Sequence, residues 1–241
     1  MYPKAILLDL DDTIIAFDHG IDLDKCWKSV CNRHLQLNDE QIDDVIMQIK
    51  RKAKWFWGDP VRHRIGRLDL DKARIEIVSA ALHEANFHDI FLAERIALDY
   101  GIERDDAVTL YPGAIETLQF LRELGIKLAL ITNGGASTQR KKIERFELAS
   151  HFDCILIEEE FGTGKPDHKV YLHVINQLGV TADETWMIGD NFEWEVVAPQ
   201  KLDIKGIWIN HKGFENRTLE TPFKTITTLS DIKNILYEIA H

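Results

Sequence analysis

The chain is 241 residues long, 45% hydrophobic and 29% charged, enough apolar material for one ordinary domain carrying an insert or for two small domains. Its net charge of −11 argues against a nucleic-acid partner, and without a membrane-length apolar run or a charged-then-apolar leader, neither membrane association nor secretion is expected. Cys26, Cys31 and Cys154 match no zinc or redox spacing and suit buried thiols in a reducing, cytoplasmic setting.

The first predicted element is the apolar run Ala5-Ile6-Leu7-Leu8, which reads as a buried parallel strand and leads straight into Asp9-Leu10-Asp11-Asp12-Thr13. Open α/β sheets bind ligands at the carboxyl ends of their strands. The three neighbouring carboxylates repel one another, and a hard cation such as Mg²⁺ would relieve that repulsion; the plainer alternative is an acidic turn in which Thr13 caps a helix. Residues 16–105 hold no convincing strand, and helical spacing over 24–35, 39–57, 69–85 and 89–100, with aspartates at or near the starts, predicts an all-helical insert. Beyond it, Pro112-Gly113 opens a helix to residue 124, followed by strand 127–131, helix 137–148, strand 154–157, helix 168–178, strand 185–188, helix 193–201, strands 206–209 and 223–226, and a closing helix over 230–240. This alternation predicts an α/β fold with a doubly wound, mostly parallel sheet. Its core domain spans residues 1–16 and 106–241, and the helical domain spans 17–105.

Three further polar islands lie where predicted strands stop or turn: Thr132-Asn133-Gly134, Gly164-Lys165-Pro166-Asp167 and Gly189-Asp190-Asn191. All can converge with Asp9 on one edge of one sheet. Aspartate, threonine, lysine and aspartate in that order resemble the four motifs of the haloacid dehalogenase-like (HAD) hydrolase superfamily, over residues 4–210. Two weaker matches are set aside. Gly162-Thr-Gly164-Lys165 lacks the spacing of a phosphate-binding P-loop and has proline after the lysine, and Gly134-Gly135 is not a dinucleotide fingerprint.

The resemblance implies a phosphate monoester hydrolase with a Rossmann-like core, a class 1 helical cap, Mg²⁺ as cofactor and a small phosphorylated metabolite as substrate. Asp9 would be the nucleophile, and Asp11 would protonate the leaving alcohol and then activate water. That second aspartate separates phosphatases from haloalkanoate dehalogenases. Mg²⁺ would lie between Asp9, the backbone carbonyl of Asp11, and Asp190. Thr132, with the backbone N–H of Asn133 or Gly134, would bind phosphoryl oxygens, and Lys165 would balance the charge of Asp9 and phosphate. One departure stands out: Glu195 occupies the place of a second family aspartate, one methylene longer. It is expected on a metal-bound water or on Lys165, with Glu193 as the alternative.

In the helical segment, Lys54 to Arg67 combines Trp55 and Trp57 with Arg62, Arg64 and Arg67 around Gly58-Asp59-Pro60. These arginines could hold a substrate anion; equally, the aromatics could staple two helices while the arginines pair with the chain's own carboxylates. The stretches 131–144 and 208–210 are similar to the branch containing N-acylneuraminate-9-phosphatase and the pyrimidine nucleotide 5′-phosphatases. Outside the phosphatase reading stand a HAD-fold pseudoenzyme or regulatory binding protein, a 2-haloacid dehalogenase, and a response-regulator receiver, which is about half this length.

Overall fold

The computed structural model describes residues 2–215 and 219–240. The chain forms two compact units, Met1–His19 with Thr109–His241, and Gly20–Val108. Both divisions fall three residues beyond those expected at 16/17 and 105/106. The reason is local: the Asp12 carboxylate accepts the backbone N–H groups of Phe17, Asp18 and His19 at 2.8–3.0 Å, which ties this loop to the α/β unit.

The α/β unit begins with β1 (Ala5–Leu8) and a two-residue strand, β2 (Ile15–Ala16). The helical unit then supplies α1 (Leu23–His34), α2 (Asp39–Trp57), α3 (Pro60–Gly66), α4 (Leu70–Glu84) and α5 (Ile90–Ala107). Each starts where the side chain of Asp22, Asn38, Asp59, Asp69 or Asp89 accepts otherwise unpaired backbone N–H groups. Gly58 and Asp59 make the turn after α2, and the short helix α3 that follows was not foreseen: Pro60 sits in its first turn, where its missing N–H has no cost and its fixed φ suits the helix. Trp27, Ile42, Ile49, Val78, Leu82 and Ile96 are among the buried residues of this unit's core, and Trp27 stacks on Tyr100 with ring centroids 3.4 Å apart.

The α/β unit resumes with β3 (Thr109–Leu110), which pairs antiparallel with β2. It continues through α6 (Ala114–Glu123), β4 (Lys127–Thr132), α7 (Ala136–Arg145), β5 (Cys154–Ile157), α8 (Glu158–Phe161), α9 (His168–Leu178) and β6 (Thr185–Gly189). A π-helical turn over Glu193–Val197 runs into α10 (Ala198–Gln200), followed by β7 (Lys205–Ile209), β8 (Lys224–Ile226) and α11 (Ile232–Ala240). The expected helix over 193–201 is thus a wide turn with a short α segment, and the small β2–β3 pair and α8 were not foreseen.

Six strands form one parallel sheet in the order β5-β4-β1-β6-β7-β8. The chain builds outward from β1 through β4 to β5, then crosses back to add β6 on the other side. The strand order therefore reverses beside β1, and the crevice this leaves at the carboxyl ends is where such sheets bind ligands. In register, Leu8 faces Leu130 on one side and Ile188 on the other, which brings Asp9 beside the strand ends carrying Thr132 and Asp190. On one face Leu7, Ile131 and Met187 pack with Val170, Tyr171 and Val174 of α9. Ile6, Leu8 and Leu130, which alternate onto the opposite face, are also fully buried. Burial on both faces, at about 1.5–3 kcal/mol per large apolar side chain, explains why these strands read as continuous apolar runs. Among the described residues no helix is long and apolar enough to cross a membrane.

Candidate active site

Asp9 follows β1, and its backbone N–H donates to the carbonyl of Ile188 at 3.0 Å, which anchors it to β6. Its carboxylate accepts from Lys165 Nζ at 2.5 Å. Lys165 is wholly buried and also reaches Glu195 Oε1 at 2.7 Å, so one ammonium lies between two carboxylates. Two local features hold this arrangement. The Asn133 side chain accepts the Lys165 backbone N–H and donates to the Lys165 carbonyl, each at 2.8 Å, clamping the lysine loop to the end of β4. Gly189 leaves room for Glu195: a Cβ there would stand 2.2 Å from Glu195 Cγ and 3.0 Å from Asp9 Cβ. Glu195 comes from the π-helical turn, a distortion often found at functional sites. Glu193, by contrast, lies 4.0 Å from Lys201 with both side chains more than half exposed.

The electrostatics are those of a site with too many carboxylates. Burial raises the Asp9 carboxyl and the Asp11 charge adds to the rise, opposed by Lys165. Burial, together with the charges of Asp9, Glu195 and Asp12, pushes Asp190 up to about 9. Glu195 is pushed up to about 7, mainly by burial and against the pull of Lys165. Burial alone would lower Lys165, but Asp9 and Glu195 overcome it and hold the lysine above its ordinary value. Oxygen donors crowded with surplus negative charge are the setting that suits a hard divalent cation, so Asp9 and Asp190 fit Mg²⁺. A second grouping lies next to them. Asp12, His19 and Asp190 bring one ligand atom each to within 4.8 Å of one another, and His19 would add a nitrogen donor to this set.

The Asp11 side chain points elsewhere in the cluster. Lys142 Nζ donates to both its oxygens, at 2.8 and 3.0 Å, and Gln139 Nε2 donates to Oδ2 at 3.0 Å. The same Gln139 amide donates to Thr132 Oγ1 at 2.5 Å and to the Asn133 carbonyl at 3.1 Å. Thr132 Oγ1 thus accepts from the amide and itself donates, at 3.5 Å, to the Asn133 carbonyl, a long contact that a phosphoryl oxygen could replace. The expected role of the Gly134 backbone needs correcting, because its N–H donates to Glu158 Oε2 at 2.9 Å. That buried carboxylate has taken the donor, and of the two named amides the Asn133 N–H is the one left for a phosphoryl oxygen.

Sequence reasoning did not single out Gln139, Lys142, Glu158 or His19, nor assign roles to the Asp12 carboxylate or the Asn133 side chain. One signal for the first two was legible: α7 reads Ala-Ser-Thr-Gln-Arg-Lys-Lys-Ile-Glu-Arg, almost wholly polar, yet buries Gln139 and Lys142. Polar side chains inside a protein need partners there.

Arg62 donates to the Trp55 carbonyl at 2.9 Å, and its guanidinium lies 3.7 Å from the Trp55 ring centroid. Arg67 Nη1 lies 3.3 Å from His63 Nδ1. Arg64 is exposed. Phe56 is buried and fills the space over Gly66, where a Cβ would stand 2.6 Å from its ring.

Residues 3–203 match the haloacid dehalogenase-like hydrolase family. The glyceraldehyde 3-phosphate phosphatase of Methanopyrus kandleri is 36% identical over 222 residues, covering 88% of this chain and 86% of that protein. Pyrimidine 5′-nucleotidase YjjG of Escherichia coli is 24% identical over 234 residues, covering 96% of each. Among solved structures, the magnesium-bound HAD-hydrolase YfnB of Bacillus subtilis aligns over 98% of this chain and 99% of its own, with a TM-score of 0.74 and 20% identity, a likeness of fold. A parallel sheet with its polar groups gathered at the switch point and a family match over most of the chain lead to one assignment: the chain belongs to the haloacid dehalogenase-like hydrolase family.

Proposed function

We propose that this hydrolase is a Mg²⁺-dependent phosphatase that cleaves the phosphate monoester of a small metabolite, a sugar or a nucleotide, through an aspartyl-phosphate intermediate. The observation that carries the proposal is the buried Asp9–Lys165–Glu195 cluster at the switch point, with Thr132 and Asp190 on the flanking strand ends. The names of the two relatives above, one acting on a triose phosphate and one on pyrimidine nucleotides, support a small phosphorylated substrate.

Phosphate monoesters hydrolyse extremely slowly in water, so a nucleophile and charge neutralisation are both required. An Asp9 oxygen forms a bond to phosphorus as the bond to the leaving oxygen breaks, and Asp11 gives its proton to that departing alkoxide. Asp11, now a carboxylate, takes a proton from the water that attacks phosphorus and releases Asp9. Thr132, the Asn133 N–H and Lys165 stabilise the phosphoryl oxygens, and Lys165 keeps Asp9 ionised while Glu195 holds Lys165 in place. Mg²⁺, held by Asp9, Asp190 and the Asp11 backbone carbonyl, would screen the nucleophile from the substrate dianion. Arg62, Arg64 and Arg67 are proposed to recognise the rest of the substrate, and the helical unit to act as a cap.

The test is phosphate release by purified protein with Mg²⁺ from a panel of triose, hexose and sialic acid phosphates and pyrimidine nucleotides. Release from at least one is expected, with Asp9→Asn reduced to background while circular dichroism shows the fold retained. Substantial turnover by Asp9→Asn, or by protein stripped of metal, would overturn the covalent metal-assisted mechanism.

A further inference from the structure

The helix α7 is polar along nearly its whole length, and its buried face is explained only in part by Ile143. Gln139 and Lys142, 2% and 7% exposed, share that face three residues apart. Both are spent on the same target. The ammonium reaches both Asp11 oxygens, the amide reaches one of them, and the Lys142 ammonium also lies 3.6 Å from the Phe17 ring centroid. We infer that Gln139 and Lys142 are positioning residues that hold the Asp11 carboxylate in one orientation and lock it to the Thr132 hydroxyl.

The physical need comes from the neighbourhood. Asp11 sits on a short loop between Asp9 and Asp12, and an unrestrained carboxylate there would be driven outward by like charge. A single hydrogen bond would still let the group rotate about its terminal torsion, whereas donors on both oxygens fix its position and its plane together. Lysine suits this task because a compact ammonium can meet two oxygens of one carboxylate at once. The neutral amide of Gln139 adds a link: its two N–H groups serve Asp11 Oδ2, Thr132 Oγ1 and the Asn133 carbonyl, so the groups proposed for proton transfer and for phosphate binding cannot shift independently. A proton donor misplaced by about 1 Å loses much of its effect.

This inference rests on the phosphatase reading, and the experiment separates the two. Wild-type turnover of an alkyl phosphate tests the phosphatase reading by itself. For Lys142→Met, single-turnover phosphoenzyme formation should fall about 10- to 100-fold with the alkyl phosphate, part of the range general acid catalysis supplies. With p-nitrophenyl phosphate, whose leaving group needs little protonation, it should fall less than about threefold. Lys142→Arg should recover most of the loss, and Lys142→Met added to Asp11→Asn should cost nothing further, because the lysine acts through Asp11. Equal losses on both substrates, or a further loss in the Asp11→Asn background, would overturn the role and leave a merely structural ion pair. A crystal structure of Lys142→Met decides the point without turnover: the Asp11 carboxylate should leave its contact with Gln139, and an unmoved carboxylate would overturn the proposal. Should Lys142→Met fail to fold, Gln139→Leu, which keeps the charge pair, carries the same comparison through Thr132 and Asp11.

Discussion

The two units handle polar groups in opposite ways. Among the described residues of the helical unit, Arg74 is the one buried charge; its guanidinium pairs with Asp71 at 3.1 Å beside Gly101, whose missing Cβ makes room for it. The other charges of that unit stay at least partly exposed, and five Asp or Asn caps close its helix starts. The α/β unit buries Asp9, Asp12, Lys142, Glu158, Lys165 and Glu195, most of them gathered around the carboxyl edge of one sheet. Burying charge is costly unless it is paired, so a unit that does this repeatedly at one edge has given up stability for a site. The helical unit shows how the same chain folds a segment where that demand is nearly absent.

The largest expected effect attacks the buried charges directly. Lys165→Met leaves the Asp9 and Glu195 carboxylates facing each other without their shared cation, and breaking a buried pair in this way costs about 3–5 kcal/mol. Denaturant unfolding should register that loss, and turnover should disappear; a variant as stable as wild type would mean that the α/β unit carries its charges without penalty.

A pH series sharpens the comparison without mutation. The Asp190 carboxyl is raised from 3.8 to about 9 and the Glu195 carboxyl from 4.5 to about 7. The native state therefore retains protons that the unfolded chain has already released, and stability should fall as pH rises from about 4 to about 9. In EDTA a drop in Tm on the order of 5 °C or more is expected between pH 5 and pH 9. Saturating Mg²⁺ should shrink it, since the cation takes over the neutralisation the protons provided. A Tm that is flat in EDTA, or that rises with pH, would contradict the proposed surplus of negative charge.

Steric rather than electrostatic damage should be smaller. Gly189→Ala places a methyl against Glu195 and Asp9 and should cost about 1–3 kcal/mol by overpacking, with activity falling more than stability because both carboxylates must move. Smallest of all, Asn38→Ala removes the capping box of α2 and should cost about 1 kcal/mol by chemical denaturation, with kcat unchanged. A loss of kcat from that substitution would show that the two units are not as separate in their chemistry as in their composition.

Much of the fold was legible because each of its devices is local. The helices of the insert follow from apolar spacing and from Asp or Asn at their starts, and β1, β4, β5 and β6 follow from short apolar runs that burial on both faces demands. Elements that borrow their stability from elsewhere were harder to see. The two-residue strands β2 and β3 exist only because each supplies the other's hydrogen bonds across more than ninety residues of chain. The short helix α8 carries Glu158 to the Gly134 N–H, a purpose invisible in Glu158-Glu159-Glu160 read as sequence.

The candidate site divides along the same line. Residue type and place at a strand end were enough to single out Asp9, Thr132, Lys165 and Asp190, because a parallel sheet delivers its carboxyl ends to one edge whatever the loops do. Lys165 was expected beside Asp9 and as one of two partners for Glu195; the other partners, and the backbone that lets these meet, were decided by tertiary structure. Gln139 and Lys142 meet Asp11 because α7 docks with a polar face inward, and Glu195 meets Lys165 because a π-helical turn and the bare backbone of Gly189 let it. Asp12 takes three backbone amides because a positive φ of 55° turns its side chain under the following loop. A sequence specifies which groups can ionise or donate, but a hydrogen bond has a range of about 3 Å, and only the folded backbone determines which groups come within it.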